Sequence, residues 1–356
     1  MNGKISPRDQ GYRMPAEWEP HRATWLSWPH NRETWPDCFE RVEPAMAEVV
    51  RVLAETEDVY INVLGPEHER HVDALLRRIV PPERVRYFHV PTNDAWIRDH
   101  GAIFLRRETA EDPVIALDFE YNAWGGKYPP YDLDREVARQ MAAALGVPRF
   151  APGAVLEGGS VDVNGAGTLI TTEQCMLNAN RNPSLERGEI ERLLRECFGV
   201  EHVLWLGEGI EGDDTDGHVD DLTRFVAADT VVTVVESNAR DPNFEPLAAN
   251  RRRLAAIEQS GELTLRVVEL PMPTPQFNAG QRLPASYANF YIANACVLMP
   301  AFGCAADEAA REVLAHCFAQ RRVVPVDCRA LVAGLGALHC LTQQVPEVPG
   351  SAHRSS

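Results

Sequence analysis

The 356-residue chain has no apolar run approaching the roughly 20 residues a bilayer-spanning helix needs, so no membrane partner is expected. Residues 1–13 lack the apolar stretch of an export signal, and a cytoplasmic location is the expectation. Basic charge is scarce: 35 Lys and Arg stand against 52 Asp and Glu, a formal net charge of −17. That balance argues against nucleic acid, whose phosphates demand a basic face. None of the 8 cysteines forms a CxxC pair, so they read as free thiols in a reducing compartment, most of them core filler. An HExxH zinc motif is missing too. There is no linker rich in Gly, Ser or charge, so residues 1–347 read as one domain and residues 348–356 as a disordered tail.

What is present is an ordinary globular composition, 45% hydrophobic and 24% charged. An acidic surface is compatible with a cationic small-molecule substrate, and equally with a plain soluble protein. Apolar residues recur at helical spacing from about Thr34 to Leu53, then in HVDALLRRIV, LDREVARQMAAALG, LERGEIERLLRECFG, EPLAANRRRLAAIEQ and DEAAREVLAHCFAQ. Gly146 and Gly199 stand just past two of these patterns as stop signals. β-rich runs such as VYINVLG, VRYFHVP, TVVTVVES and RRVVPVDC lie between them. The last five helices recur at intervals of about 50 to 65 residues, which suggests a structural repeat. Five strand–helix units predict either a ring of αβ blades or an open α/β sheet.

Four stretches depart from this background: residues 92–104, 156–165, 212–225 and 334–346. In GDDTDGHVDD, Asp213, Asp214, Asp216, Asp220 and Asp221 crowd around His218. A calcium loop fails on register, because Gly212 falls at position one and Thr223 at twelve, where carboxylates belong. His218 with Asp220 supplies two zinc ligands, too few to complete a set. The loop reads instead as a protonatable base beside a carboxylate able to bind a cation. In GLGALHCLTQQVP, Cys340 follows a glycine-containing turn, where a thiol can be accessible and reactive. His339 is not expected to serve it, since neighbouring side chains on extended backbone face opposite ways. In NDAWIRDHGAIF, Asp94 opens the segment and can face a pocket beside Trp96, whereas Arg98 and Asp99 read as a structural salt bridge. In LEGGSVDVNG, Glu157 precedes two glycines and can orient a histidine, or simply sit exposed at a strand end.

These segments, with MPAEWEPHRATWLSWPHNRETWP (14–36), FEYNAWGGKYPPYDLD (119–134), TTEQCMLNANRNP (171–183) and GQRLPASYANFYIAN (280–294), resemble the agmatine deiminase family. Its relatives include the bacterial peptidylarginine deiminases of the guanidine-modifying (pentein) superfamily. The resemblance runs almost end to end. It implies an α/β fold, a five-bladed αβ propeller with pseudo-fivefold symmetry. It also implies Cys340 as nucleophile, His218 as general acid/base, Glu157 as its carboxylate partner, and Asp94 and Asp220 as the carboxylates that grip a guanidinium. Asp214 and Trp96 are counted as further substrate-binding candidates. No cofactor and no metal are implied, and a homodimer is the expectation. One departure stands out: many members read Gly-Gly-Gly-Asn-Ile-His-Cys where this chain reads Gly-Leu-Gly-Ala-Leu-His-Cys, so that Leu335 replaces a glycine and Ala337 an asparagine.

The expected chemistry follows from the substrate class. A guanidinium is a planar, resonance-stabilised cation with a poorly electrophilic carbon, and flanking carboxylates can fix its plane through charge-assisted hydrogen bonds. A cysteine thiolate can then attack while a histidine manages protons. Arginine-type substrates carry a carboxylate that needs a cationic clamp, whereas agmatine carries a second positive charge. The loop Glu211 to Asp216 offers four carboxylates and no Lys or Arg, which favours agmatine. The alternatives are another guanidine such as arginine or peptidyl-arginine, a thiol hydrolase acting on amides, or an inactive propeller used as a binding scaffold.

Overall fold

The computed structural model describes residues 5–108 and 113–348, so the expected tail lies, beyond Val348, outside the described residues. The helix Arg187–Phe198 opens with a capping box in which the Glu186 and Glu189 carboxylates each accept a backbone N–H from the other. This satisfies two amides that lack an intrahelical partner. The helix stops at Gly199, whose φ of 67° lies in the left-handed region that side chains disfavour. Gly146 closes the helix Val137–Leu145 in the same way, with φ 66°. The first helix begins at Phe39 rather than near Thr34, because the residues before it are committed to tertiary contacts. Thr34 Oγ1 donates to the Asp94 carboxylate and Trp35 Nε1 donates to the Leu331 carbonyl.

Six sheets are present among the described residues, and five share one pairing pattern. In each of those five, an antiparallel pair is followed by a parallel neighbour. The second sheet is Ile103–Arg106, Val114–Leu117 and Arg149–Phe150. The third is Asp162–Val163, Thr168–Thr172 and His202–Leu206. The fourth is Thr223–Ala227, Thr230–Val235 and Arg266–Pro271, and the fifth Tyr291–Ile292, Cys296–Ala301 and Arg322–Asp327. Each parallel step needs a crossover, supplied in order by the helices Val137–Leu145, Arg187–Phe198, Phe244–Ser260 and Ala306–Cys317. The first sheet has four strands and draws on both ends of the chain. Gln343–Pro346 pairs antiparallel with His21–Ser27, which continues in parallel to Asp58–Val63 and Val85–His89.

The core lies between sheets as well as under helices. Trp25, Tyr60 and Val345 of the first sheet pack with Phe104 and Ala116 of the second and Met141 of its helix. Ile103 and Leu117 of the second sheet pack with Leu169 of the third and Leu194 and Phe198 of its helix. Among the described residues no helix is long and apolar enough to cross a membrane.

Candidate active site

The pairing pattern places five loops in equivalent positions, each immediately ahead of the first strand of a sheet. Asp94 to Asp99 precede Ile103, Glu157 precedes Asp162, and His218 and Asp220 precede Thr223. Asn289 precedes Tyr291, and Cys340 precedes Gln343. The repeat that the helix spacing suggests therefore has a chemical counterpart, since every repeat delivers polar side chains from the same loop.

The loops meet over Gly159. A side-chain carbon there would sit 2.6 Å from His218 Nδ1, 2.8 Å from Asp99 Oδ1 and 3.0 Å from Asp220 Oδ2. Only a residue without a side chain leaves these three groups where they are. Asp220 Oδ2 also lies 3.7 Å from Cys340 Sγ and 2.7 Å from His339 Nδ1. One carboxylate oxygen thus connects the histidine loop to the cysteine loop.

Cys340 is buried, only 6% exposed, which corrects the expectation of an accessible thiol. Asn289 Nδ2 donates to its sulfur at 3.1 Å. Burial pushes the thiol well above its ordinary pKa, and Asp220, Asp221 and Asp99 push the same way. Burial and the three carboxylates thus favour the neutral thiol over the thiolate. The segment around it is a turn, not extended backbone, which is why His339 and Cys340 face the same carboxylate instead of opposite sides.

His339 continues into a buried charge network. Its Nε2 is 2.9 Å from Glu17 Oε2, and Glu17 is also paired with Arg98 at 3.3 Å and Arg224 at 2.9 Å. Burial alone would raise the Glu17 carboxyl, but Arg224, His339 and Arg98 hold it well below the usual carboxylate range. Asp220 is likewise lowered against its burial, chiefly by His339. Arg98 reaches the cysteine loop directly, donating from Nε to the His339 carbonyl and from its guanidinium to Gln344 Oε1. The expected Arg98–Asp99 salt bridge is not the observed pairing.

Asp99 instead turns to His218, with Oδ1 3.7 Å from Nδ1, and is held there by Trp124 Nε1 and Gly159 N at 3.0 Å each. On the far side, His218 Nε2 is 3.8 Å from Glu157 Oε2. Burial would keep the imidazole neutral, yet Asp99 foremost, then Cys175 and Glu157, raise its pKa well above the ordinary histidine value. Glu157 is fully buried, not exposed at a strand end. Its Oε1 accepts from Arg181 Nε at 2.8 Å, and Arg181 also binds Asp216 at 2.6 Å and the Thr215 carbonyl at 2.9 Å. The NRN element of residues 180–182 therefore ties the glutamate loop to the histidine loop.

The remaining predicted residues stand nearer the edge. Asp94 accepts from Thr34 Oγ1 at 2.5 Å and Ala95 N at 2.7 Å, and burial pushes its carboxyl up to about 6. Trp96, which follows it, lies against Trp35 with ring centroids 5.4 Å apart and covers Gly336, four residues ahead of Cys340. A side-chain carbon on Gly336 would come within 2.4 Å of that indole. Asp214 accepts from the Tyr128 hydroxyl, while Lys127 binds the Asp214 carbonyl and reaches Asp216 at 2.9 Å. The carboxylate-rich loop is thus less anionic than its sequence suggests. Asp216 is matched by Arg181 and Lys127, and Asp213 is spent on Thr215 and Gly217 N–H groups. Those same bonds consume the donors a calcium loop would need.

Sequence reasoning passes over Asp99, Glu17, Asn289 and Cys175 as site residues. All four lie inside segments singled out for other reasons, but nothing local distinguishes them from structural residues. Cys175 reaches the site only because the short helix Glu173–Met176 carries it to within 4.8 Å of His218 and Glu157.

With this geometry in view, comparison with known proteins is decisive. A model of the Porphyromonas-type peptidyl-arginine deiminases matches residues 13–346. The chain belongs to that family. Within it, the chain is 35% identical over 349 residues to a putative agmatine deiminase of Legionella pneumophila, covering 98% of each chain. It is 36% identical over 369 residues to the agmatine deiminase of Ectopseudomonas mendocina, covering 97% of this chain and 98% of that one. The solved agmatine deiminase of Enterococcus faecalis superposes with a TM-score of 0.88 at 32% identity, covering 97% of this chain and 98% of that one. Family membership and the mixed α/β fold are both established by these likenesses.

Proposed function

We propose that this chain hydrolyses agmatine to N-carbamoylputrescine and ammonia through a thiouronium formed on Cys340. The observation that carries the reading is the meeting of the cysteine and histidine loops: Asp220 Oδ2 lies 3.7 Å from Cys340 Sγ, and that same oxygen and His218, itself flanked by Asp99 and Glu157, both border Gly159. The relatives named agmatine deiminases, at about 35% identity over nearly the whole chain, support the choice of substrate.

In this reading Asp220 and Asp94 accept N–H bonds from the guanidinium and fix its plane, with the Trp96 indole as a wall. Asp214, at the mouth, receives the amine end. Binding of a cation offsets the carboxylate field around the sulfur, so the Cys340 thiol loses its proton as the substrate arrives. The thiolate attacks the guanidinium carbon, and protonated His218 gives a proton to the departing nitrogen, which leaves as ammonia. His218, held by Glu157 and Asp99, then takes a proton from water. That water adds to the thiouronium carbon, the C–S bond breaks, and a ureido group is released. We further read residues 1–347 as a single domain, its five like-patterned sheets forming the blades of a propeller closed by pairing of the chain's two ends.

The test is a comparison of agmatine, arginine and a peptidyl-arginine, following ammonia and ureido product. Agmatine turnover that disappears in Cys340→Ala is the expected result. Equal or faster turnover of arginine would replace the substrate and keep the chemistry, and activity persisting in Cys340→Ala would remove the mechanism.

A further inference from the structure

Glu157, Cys175 and His218 each direct one ligand-type atom at a common point, and these atoms all lie within 4.8 Å of one another. All three residues are buried, Cys175 with no measurable exposure. The atoms on the two non-sulfur members, Glu157 Oε2 and His218 Nε2, face each other at 3.8 Å, and neither has a partner at ordinary hydrogen-bond length. Unpartnered buried polar atoms are rare because each forfeits its hydration without replacement. Two of them converging beside a thiol call for an occupant.

We propose that Glu157, Cys175 and His218 form a binding site for one zinc-like divalent cation. The donor set is sulfur, imidazole nitrogen and one carboxylate oxygen, which suits a borderline-soft ion and not calcium or magnesium. With Zn–N and Zn–O bonds near 2.0–2.2 Å, tetrahedral ligands stand roughly 3.3 Å apart, so His218 and Glu157 need to close by only about half an ångström. Asp99 stands behind the opposite ring nitrogen at 3.7 Å, where a carboxylate orients a metal-bound histidine. Arg181 holds Glu157 by Oε1 alone and is itself matched by Asp216, so Oε2 remains available. On binding, Cys175 releases its thiol proton and His218 presents an unprotonated Nε2; the fourth position falls to water.

Occupancy of this site blocks catalysis, a consequence that rests on the roles assigned to His218 and Glu157 above. A coordinated Nε2 cannot carry a proton to the leaving nitrogen. The site is therefore inhibitory and distinct from Cys340.

Cobalt(II), a spectroscopic stand-in for zinc, tests this in the Cys340→Ser protein, where the nucleophile cannot contribute a thiolate. The expected result is one equivalent bound with sulfur-to-cobalt charge-transfer absorption, abolished when Cys175→Ser is added. If that double variant fails to fold by circular dichroism, Cys175→Ala replaces it. In active Cys175→Ser enzyme, the zinc concentration for half-inhibition rises by more than the roughly 10- to 100-fold typical of losing an outer-shell partner. No charge-transfer band in Cys340→Ser, or a band that survives loss of Cys175, overturns the site. Unchanged zinc sensitivity in Cys175→Ser overturns its inhibitory role. Intact cobalt binding in a protein that deiminates no guanidine supports the site and tells against the proposed function instead.

Discussion

His339 Nδ1 stands 2.7 Å from Asp220 Oδ2, so the residue next to Cys340 holds the carboxylate that faces its sulfur. The arrangement ties two groups to one turn: the backbone that places the sulfur also places the proposed clamp for the guanidinium. Glu17, between Arg98 and Arg224, anchors the far ring nitrogen. His339→Ala should therefore lower kcat/KM for agmatine by about 10- to 100-fold, the loss expected for one hydrogen bond to a charged group. His339→Gln, which restores a donor, should recover part of it. A structural role alone would show as lost stability with kcat/KM unchanged, and that pattern would sink the assignment.

Asp99 is the foremost influence raising the pKa of the buried His218 against its desolvation. Asp99→Asn preserves shape and removes the charge. The folded-state pKa of His218 should fall, because an opposite charge favours the protonated ring and its loss favours the neutral one. The basic limb of the kcat profile should accordingly move to lower pH. A profile superimposable on that of the parent would show that Asp99 does not set the state of His218.

Burial raises the Asp94 carboxyl to about 6. As pH falls through that value the carboxylate is protonated and loses its attraction for a cation. The free-enzyme profile of kcat/KM should thus show an acid limb near pH 6. Asp94→Asn should abolish that limb while lowering the plateau. A limb that persists at the same pH in Asp94→Asn belongs to another group.

Much of this was legible before any coordinates. Helix positions follow from apolar periodicity and glycine stops: three of the six long helices lie within the patterned stretches named above. Phe244–Ser260 overruns its stretch by one residue at each end, Ala306–Cys317 by one at its start, and Pro66–Leu76 starts five residues ahead of HVDALLRRIV. Short strands such as Asp162–Val163 and Arg149–Phe150 were not visible, since two residues carry no alternation to detect. At the site, residues with unusual local sequence could be named: Cys340, His218, Asp220 and Glu157. Asp99, Glu17 and Asn289 could not, because their partners His218, His339 and Cys340 lie 119, 322 and 51 positions away and are brought close only by the fold. The distance from Glu17 to His339 is a property of sheet pairing, not of spacing. The charge of the Glu211–Asp216 loop is likewise not legible from its own residues, because Arg181 and Lys127 arrive from elsewhere to pair with Asp216.

Leu335 is one of the two departures from the motif that the resemblance implies, and the structure gives it a cost. Its φ is 73°, left-handed backbone that a leucine occupies at a penalty of roughly 1–2 kcal/mol relative to glycine. Its side chain is half-buried against the main core, recovering about half of the 1.5–3 kcal/mol that full burial of a leucine contributes. Leu335→Ala keeps the backbone penalty and loses the packing, whereas Leu335→Gly loses the packing and relieves the penalty. Glycine should therefore be the less damaging of the two, within about 1 kcal/mol of the parent, reversing the usual order in which glycine costs about 0.5–1 kcal/mol more than alanine. Urea unfolding of the three proteins measures this directly. If alanine proves the more stable substitution, the turn ahead of Cys340 is not strained at Leu335, and the replacement of the family's glycine there needs another explanation.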